Sequence, residues 1–124
     1  MNNNKNIGNY GENLVCNFLR KNNCEILLTN YHSKYGEIDI IAENIKYILF
    51  IEVKTRNNNS LYRGLEAVDI SKQHRIIKTA YNYINEFDIS KQPRFDVAEV
   101  IMSNNKYKLN YYKNYFGVGV CELF

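Results

Sequence analysis

The sequence predicts an α/β domain built on a mixed sheet, and two observations carry that prediction. Apolar residues recur at helical spacing in two separated segments, while the stretches between and after them are short, rich in Ile, Phe and Tyr, and bounded by Asn or Gly turns. The resulting order is helix, three strands, helix, two strands, an arrangement that packs helices onto a sheet. At 124 residues the chain is long enough to bury one core, so residues 1–124 are expected to form a single domain.

The first helix is expected over residues 8–21, where Leu14, Val15, Phe18 and Leu19 make one stripe and Asn22-Asn23 supplies a stop. Ile26-Leu27-Leu28 suits a strand over residues 24–31, and His32-Ser33-Lys34-Tyr35-Gly36 reads as a turn. Residues 37–43 and 47–56 form the arms of a hairpin around Asn44; the second arm alternates less cleanly because both its faces are covered. A mobile loop follows, from the polar tip Asn57-Asn58-Asn59-Ser60 through Gly64. The second helix starts at Asp69 or Ser71, either of which can cap it, carries the stripe Ile76, Ile77, Ala80, Ile84 and Phe87, and is ended by Pro93. Residues 95–102 and 107–112 are the last strands, joined at Ser103-Asn104-Asn105.

Composition narrows the function classes. Hydrophobic residues at 45%, charged ones at 23% and a mean hydropathy of −0.46 exclude a disordered or fibrous chain. The most apolar stretch, residues 47–53, is broken by Glu52 and is far too short to span a membrane as a helix. The polar start, Met1-Asn2-Asn3-Asn4-Lys5-Asn6, has no apolar segment behind it to act as a secretory signal, so a cytoplasmic protein without a membrane partner is expected. A net charge of +3 and a pI near 8.7 permit a nucleic-acid partner without requiring one. Cys16, Cys24 and Cys121 form an odd set with no ligand-spaced histidines, which reads as thiols in the core and as neither a zinc knuckle nor a disulfide framework. The frequent asparagines read as nucleotide-composition drift in an AT-rich genome.

The chemistry concentrates between Gly36 and Arg56. In Gly36-Glu37-Ile38-Asp39 the two carboxylates are two residues apart, which on a strand puts them on one face. The same arithmetic groups Glu52, Lys54 and Arg56 on the next strand, so pairing the strands brings acids and a lysine together. Charges inside Ile-Leu-Phe-Ile-Glu-Val-Lys are costly unless compensated or bound to a cation. Mg²⁺ takes oxygen ligands from one or two carboxylates and keeps several waters, which Asp39 and Glu52 can offer, and a neighbouring lysine can orient a water and stabilise phosphate charge. That set points to phosphodiester hydrolysis; an isolated E-x-K triplet, by contrast, is more often an ordinary cross-strand ion pair.

The full pattern is more than the triplet. Gly11-Glu12, Gly36-Glu37-Ile38-Asp39, Phe50-Ile51-Glu52-Val53-Lys54-Thr55-Arg56, Glu66-Ala67-Val68, Lys72-Gln73 with Arg75, Arg94-Phe95-Asp96-Val97 and Asn114-Tyr115-Phe116 together resemble the YraN family of bacterial proteins, within the PD-(D/E)XK nuclease superfamily and similar to archaeal Holliday junction resolvases. The resemblance covers nearly the whole chain, with Ile38 where the superfamily signature has Pro, and with residues 117–124 extending past the family pattern. It implies a restriction-endonuclease-like αβββαβ core with a mixed central sheet flanked by helices. It also implies Mg²⁺ or Mn²⁺ held by Asp39, Glu52 and the Val53 carbonyl, with Lys54 as the water-handling lysine and Glu12 as a supplementary carboxylate.

Outside that set, Glu12 reads as a first-turn acid favoured by the helix dipole, and Glu37 as a solvated or ion-paired neighbour. Arg56, Arg63, Lys72, Arg75 and Lys78 make a basic rim suited to phosphates, with Gln73 beside it, although such charge runs are commonly a solvated face. The eleven tyrosines can stack on unpaired bases but suit sheet edges better, and His32 and His74 receive no role. The expected function is metal-dependent hydrolysis of DNA, branched or single-stranded, by a chain that acts alone or as a homodimer. The alternative is a nucleic-acid-binding module on a nuclease scaffold that cleaves nothing.

Overall fold

A computed structural model of the chain describes residues 3–57 and 68–117. The element order is α1 (Asn3–Lys21), β1 (Glu25–Ser33), β2 (Gly36–Glu43), β3 (Tyr47–Asn57), α2 (Ile70–Phe87), β4 (Gln92–Ser103) and β5 (Lys106–Phe116). The strands lie in chain order in one sheet, β1-β2-β3-β4-β5. Neighbours are antiparallel except β3 and β4, which run parallel because α2 carries the chain back across the sheet between them. This is the expected α/β fold with a mixed sheet, and it is compatible with a restriction-endonuclease-like core.

Each face of the sheet is covered by one helix. Under α2, Ile76, Ala80 and Tyr83 pack on Ile38, Ile41, Ile48, Phe50, Phe95 and Val97; under α1, Val15, Cys16 and Leu19 pack on Ile40, Ala42, Leu49, Ile51, Ala98 and Val100. β3 is central, and its residues 48–52 are all buried, which explains why its sequence does not alternate. Asn44 makes the hairpin turn by accepting the amides of Lys46 and Tyr47 on its side-chain oxygen, at 2.9 and 2.7 Å.

Several boundaries differ from the sequence reading. α1 begins at Asn3, so Glu12 sits mid-helix and the helix dipole does not explain it. α2 is capped at its start by Asp69, whose carboxylate accepts the Lys72 amide at 2.8 Å, and it ends at Asp88 in the left-handed region (φ 55°). Pro93 is therefore not the stop: it is the second residue of β4, paired with Ile48. Phe87, assigned to the apolar stripe, is 52% exposed, and Tyr83 takes its place in the core. Cys16 is buried and Cys24 half-buried; Cys121, Arg63, Glu66, Ala67, most of the loop expected after β3 and the tail 118–124 lie outside the described residues.

The Arg94-Phe95-Asp96 run is structural. Asp96 is fully buried on the α1 face, where Arg94 grips it through two nitrogens (Nε at 3.0 Å, Nη2 at 2.8 Å), the Tyr111 hydroxyl donates at 2.6 Å and the Asn114 amide at 2.8 Å. Burial and the Asp96 charge push the Tyr111 hydroxyl far above its ordinary range.

Where α1 crosses β3 the backbone of Gly11 lies against Thr55, and a Cβ on Gly11 would overlap the Thr55 hydroxyl. Gly11→Ala should destabilise the protein, because overpacking costs about 1–3 kcal/mol while the gain in helix propensity returns about 1 kcal/mol. In a Thr55→Ala background the overlap is gone and the same substitution should stabilise, a change of sign that urea denaturation of the four proteins of the cycle would read.

Candidate active site

The site forms where β2 and β3 part. Their ladder runs from Glu43↔Ile48 to Ile40↔Ile51, which makes Asp39 and Glu52 the next opposed residues, and there the pairing stops. In place of a ladder carbonyl, the Asp39 carboxylate accepts the Val53 amide at 2.7 Å through Oδ2. A local break in β2 turns the side chain inward. Ile38 is buried under α2 and Ile40 under α1 although they are two residues apart, so the period-two alternation resets around Asp39. Opposite this point β1 pairs through Thr29↔Ile40 and Tyr31↔Ile38, and the residue between, Asn30, is in the left-handed region at φ 55°.

Asp39 and Glu52 are close enough for their carboxylates to share a hydrogen bond. Burial first, then the Glu52 charge and that shared bond, push the Asp39 carboxyl up to about 7, with the Val53 amide and Lys72 pulling the other way. Two ammonium groups face Glu52 Oε1: Lys72 Nζ at 3.4 Å, from the first turn of α2, and Lys54 Nζ at 4.0 Å, two residues along β3. Burial and the adjacent Lys72 push the Lys54 ammonium below its ordinary range. Burial works against Lys72 as well, but its contacts with Lys54 and Glu52 hold its proton more tightly than usual.

Glu12 reaches the same neighbourhood from α1 on the other face. Burial and the charge of Asp39 raise its carboxyl, and a hydrogen bond from the Asn30 side chain offsets part of the rise. Asp39, Glu52, Lys54 and Glu12 are thus gathered at one end of β3, as the spacing predicts for the first three. Glu37 is not gathered with them as period-two arithmetic requires: it is exposed and faces His32 at 3.3 Å, because the reset at Asp39 intervenes.

Of the residues assigned to nucleic acid, Lys72 points at the carboxylates and Arg75 is exposed on the next turn of α2, donating to Ser71 at 3.0 Å. Gln73 instead folds back on the Val68 carbonyl at 3.1 Å, a bond that secures the start of the helix. Arg56 is half-buried near the end of β3, in register with Ile101. Two polar residues escaped the sequence reading. Asn30 had a visible signal, an asparagine within a strand. Glu99, buried beside Lys54 in the parallel register and hydrogen-bonded by Asn110 at 3.0 Å, extends the polar row across the α2 face; only the register of β4 reveals it.

The model of the uncharacterised protein family UPF0102 matches residues 11–100, a span that holds Gly11, Glu12, Asp39, Glu52, Lys54 and Lys72. The chain is 43% identical over 116 residues to a UPF0102 protein of Clostridium botulinum, covering 91% of this chain and 95% of the relative. It is 45% identical over 118 residues to one from Clostridium perfringens, covering 93% and 97%, and 42% identical over 113 residues to one from Alkaliphilus metalliredigens, covering 90% and 98%. On matches of this extent the chain belongs to the UPF0102 family, the YraN family its motifs resemble.

Proposed function

We propose that the protein is a divalent-cation-dependent nuclease that hydrolyses phosphodiester bonds in DNA with branched or single-stranded features. The observation that carries the reading is the carboxylate pair: Asp39 and Glu52 lie within hydrogen-bond reach of each other with Lys54 beside them, an arrangement of charge that a cation relieves. The donor chemistry fits Mg²⁺ or Mn²⁺. It is all oxygen, two carboxylates and the Val53 carbonyl, and Mg²⁺ takes one or two carboxylates while it keeps several waters.

In this reading Asp39, Glu52 and the Val53 carbonyl would hold the cation, which when bound would lower the pKa of a water and offset phosphate charge. Lys54, whose ammonium is weakened by burial, would orient the attacking water, and as the neutral amine it would take that water's proton to become the ammonium again. Glu12, steadied by Asn30, is the supplementary carboxylate that orients water. Lys72, Arg75 and Arg56 contact backbone phosphates, and Gln73 acts through the position of the α2 start. The second reading, a binding module without cleavage, is favoured by one observation: Glu52 already has Lys72 and Lys54 as counter-ions. A labelled panel of single-stranded, duplex and branched DNA incubated with Mg²⁺ or Mn²⁺ separates the two, since cleavage by the wild type rejects the second reading. No helix among the described residues is long and apolar enough to cross a membrane. A homodimer would give two such sites for a branched substrate.

Mg²⁺ at about ten times its Kd should raise stability by about 1.4 kcal/mol, close to 5 °C in Tm. The metal-free protein should also carry a pH signature. Asp39 is raised in the folded state, so between about pH 4 and 7 the folded chain binds more protons than the unfolded one, and stability from this group is full below the unfolded pKa and lost as pH rises through about 7. Asp39→Asn should remove both the Mg²⁺ gain and this slope; equal Mg²⁺ shifts in wild type and variant would count against the site.

Lys54→Ala should lower the rate of cutting by roughly a thousandfold while the Kd for DNA changes less than about threefold, since one lysine among many phosphate contacts adds little affinity. Gel-based cleavage and fluorescence anisotropy on the same substrate measure the two quantities, and undiminished cutting would place the chemistry elsewhere.

A further inference from the structure

Among the described tyrosines, Tyr10, Tyr81 and Tyr107 are at least as exposed as Tyr35, but Tyr35 is the exposed ring that has two lysine ammonium groups over it. Tyr31 is buried and hydrogen-bonded to Glu86 and Asn82, Tyr83 lies in the core, and Tyr111 is tied to Asp96. Tyr47 is flanked by Lys46 at 5.2 Å and Arg94 at 5.0 Å, but it sits at the opposite end of β3 from the carboxylates, and its arginine is committed to Asp96. Tyr35, in the β1–β2 turn, is 40% exposed, with Lys34 Nζ 5.3 Å and Lys78 Nζ 5.7 Å from its ring centroid. The turn is docked on α2: Ser33 Oγ is 3.1 Å from Thr79 Oγ1, and Gly36 packs beside Arg75. Lys72, Arg75 and Lys78 follow one another along the helix in steps of three, spanning about 9 Å at 1.5 Å per residue. One end of this basic line touches Glu52 and the other flanks an exposed aromatic ring. The nearby acid on the turn, Glu37, is engaged by His32.

We propose that Tyr35 is a stacking platform for an unpaired base of a DNA strand whose backbone follows Lys72, Arg75 and Lys78 away from the carboxylate site. This rests on the nucleic-acid reading above and adds the feature that selects single-stranded substrate. An aromatic face offers every base a stacking partner but cannot receive a base that is paired within a duplex, and the two exposed lysines that lie over the ring give up that place to the base and turn to the phosphates on either side of it. Duplex DNA meets the basic line alone.

The chain contains no tryptophan, so Tyr35→Trp introduces a single indole at the platform. Titration with oligo(dT) should quench its emission by stacking, while a hairpin duplex of equal phosphate count should leave it nearly unchanged. By fluorescence anisotropy, Tyr35→Ala should weaken oligo(dT) binding about tenfold and duplex binding less than twofold. Lys34→Ala with Lys78→Ala should lower the salt slope on oligo(dT) by about 1.4, at about 0.7 per contact. Equal oligo(dT) binding by wild type and Tyr35→Ala, or oligo(dT) binding that leaves the indole unquenched, overturns the platform alone. Wild type that binds duplex but not oligo(dT) does the same, whereas binding to neither overturns the nucleic-acid reading beneath it.

Discussion

The bond from the Val53 amide to the Asp39 carboxylate is the contact on which the rest of this end of the molecule depends. A strand amide inside a sheet needs an acceptor, and once β2 leaves β3 after Ile40↔Ile51 no ladder carbonyl is there to provide one. A carboxylate on β2 can, but using an acid brings its charge next to the side chain already opposite it, Glu52. The geometry that lets the two strands separate is therefore the geometry that sets two acids against each other, and two lysines, one from β3 and one from α2, are what make the arrangement tolerable.

The contrast with Asp96, fully buried in the same sheet, shows why Asp39 and not Asp96 is the functional candidate. They lie on β2 and β4, the strands on either side of the central β3, and both accept a backbone amide. Asp96 adds a bidentate guanidinium and a phenol, so its charge is met by protein donors on every side. Asp39 adds a second carboxylate. One is a closed structural pin that holds β4 to β5; the other is a carboxyl that burial first and the Glu52 charge second push above its ordinary range.

Much of this was legible in the sequence because it follows from short-range rules. Period two on a hairpin about Asn44 places Asp39 opposite Glu52 and Lys54 beside it, and the unbroken apolar run of β3 announces a strand covered on both faces. What was not legible depends on partners distant in sequence. Pro93 reads as a helix stop until the parallel register places it in β4 opposite Ile48, and Glu99 gains meaning only from lying beside Lys54. The asparagines were undervalued. Five of the six non-glycine residues at positive φ among the described residues are Asn23, Asn30, Asn104, Asn105 and Asn114, so part of the asparagine excess does the work glycine does elsewhere, at turns and at the breaks in β1 and β5.

Asn30 links that backbone role to the site. Its left-handed conformation lies where β2 resets its alternation, and its side chain meets Glu12. Glu12 is in reach only because α1 comes down onto β3 at Gly11, against Thr55, two residues beyond the amide that Asp39 holds. The two helices lie on opposite faces of the sheet, yet each delivers a charged residue to the same end of β3: Glu12 from α1 through the gap β2 leaves, and Lys72 from α2 across the top. A continuous ladder would have kept these faces apart. The parting of the strands is what allows one cluster to draw on both, and it ties the electrostatics of the site to the seating of each helix.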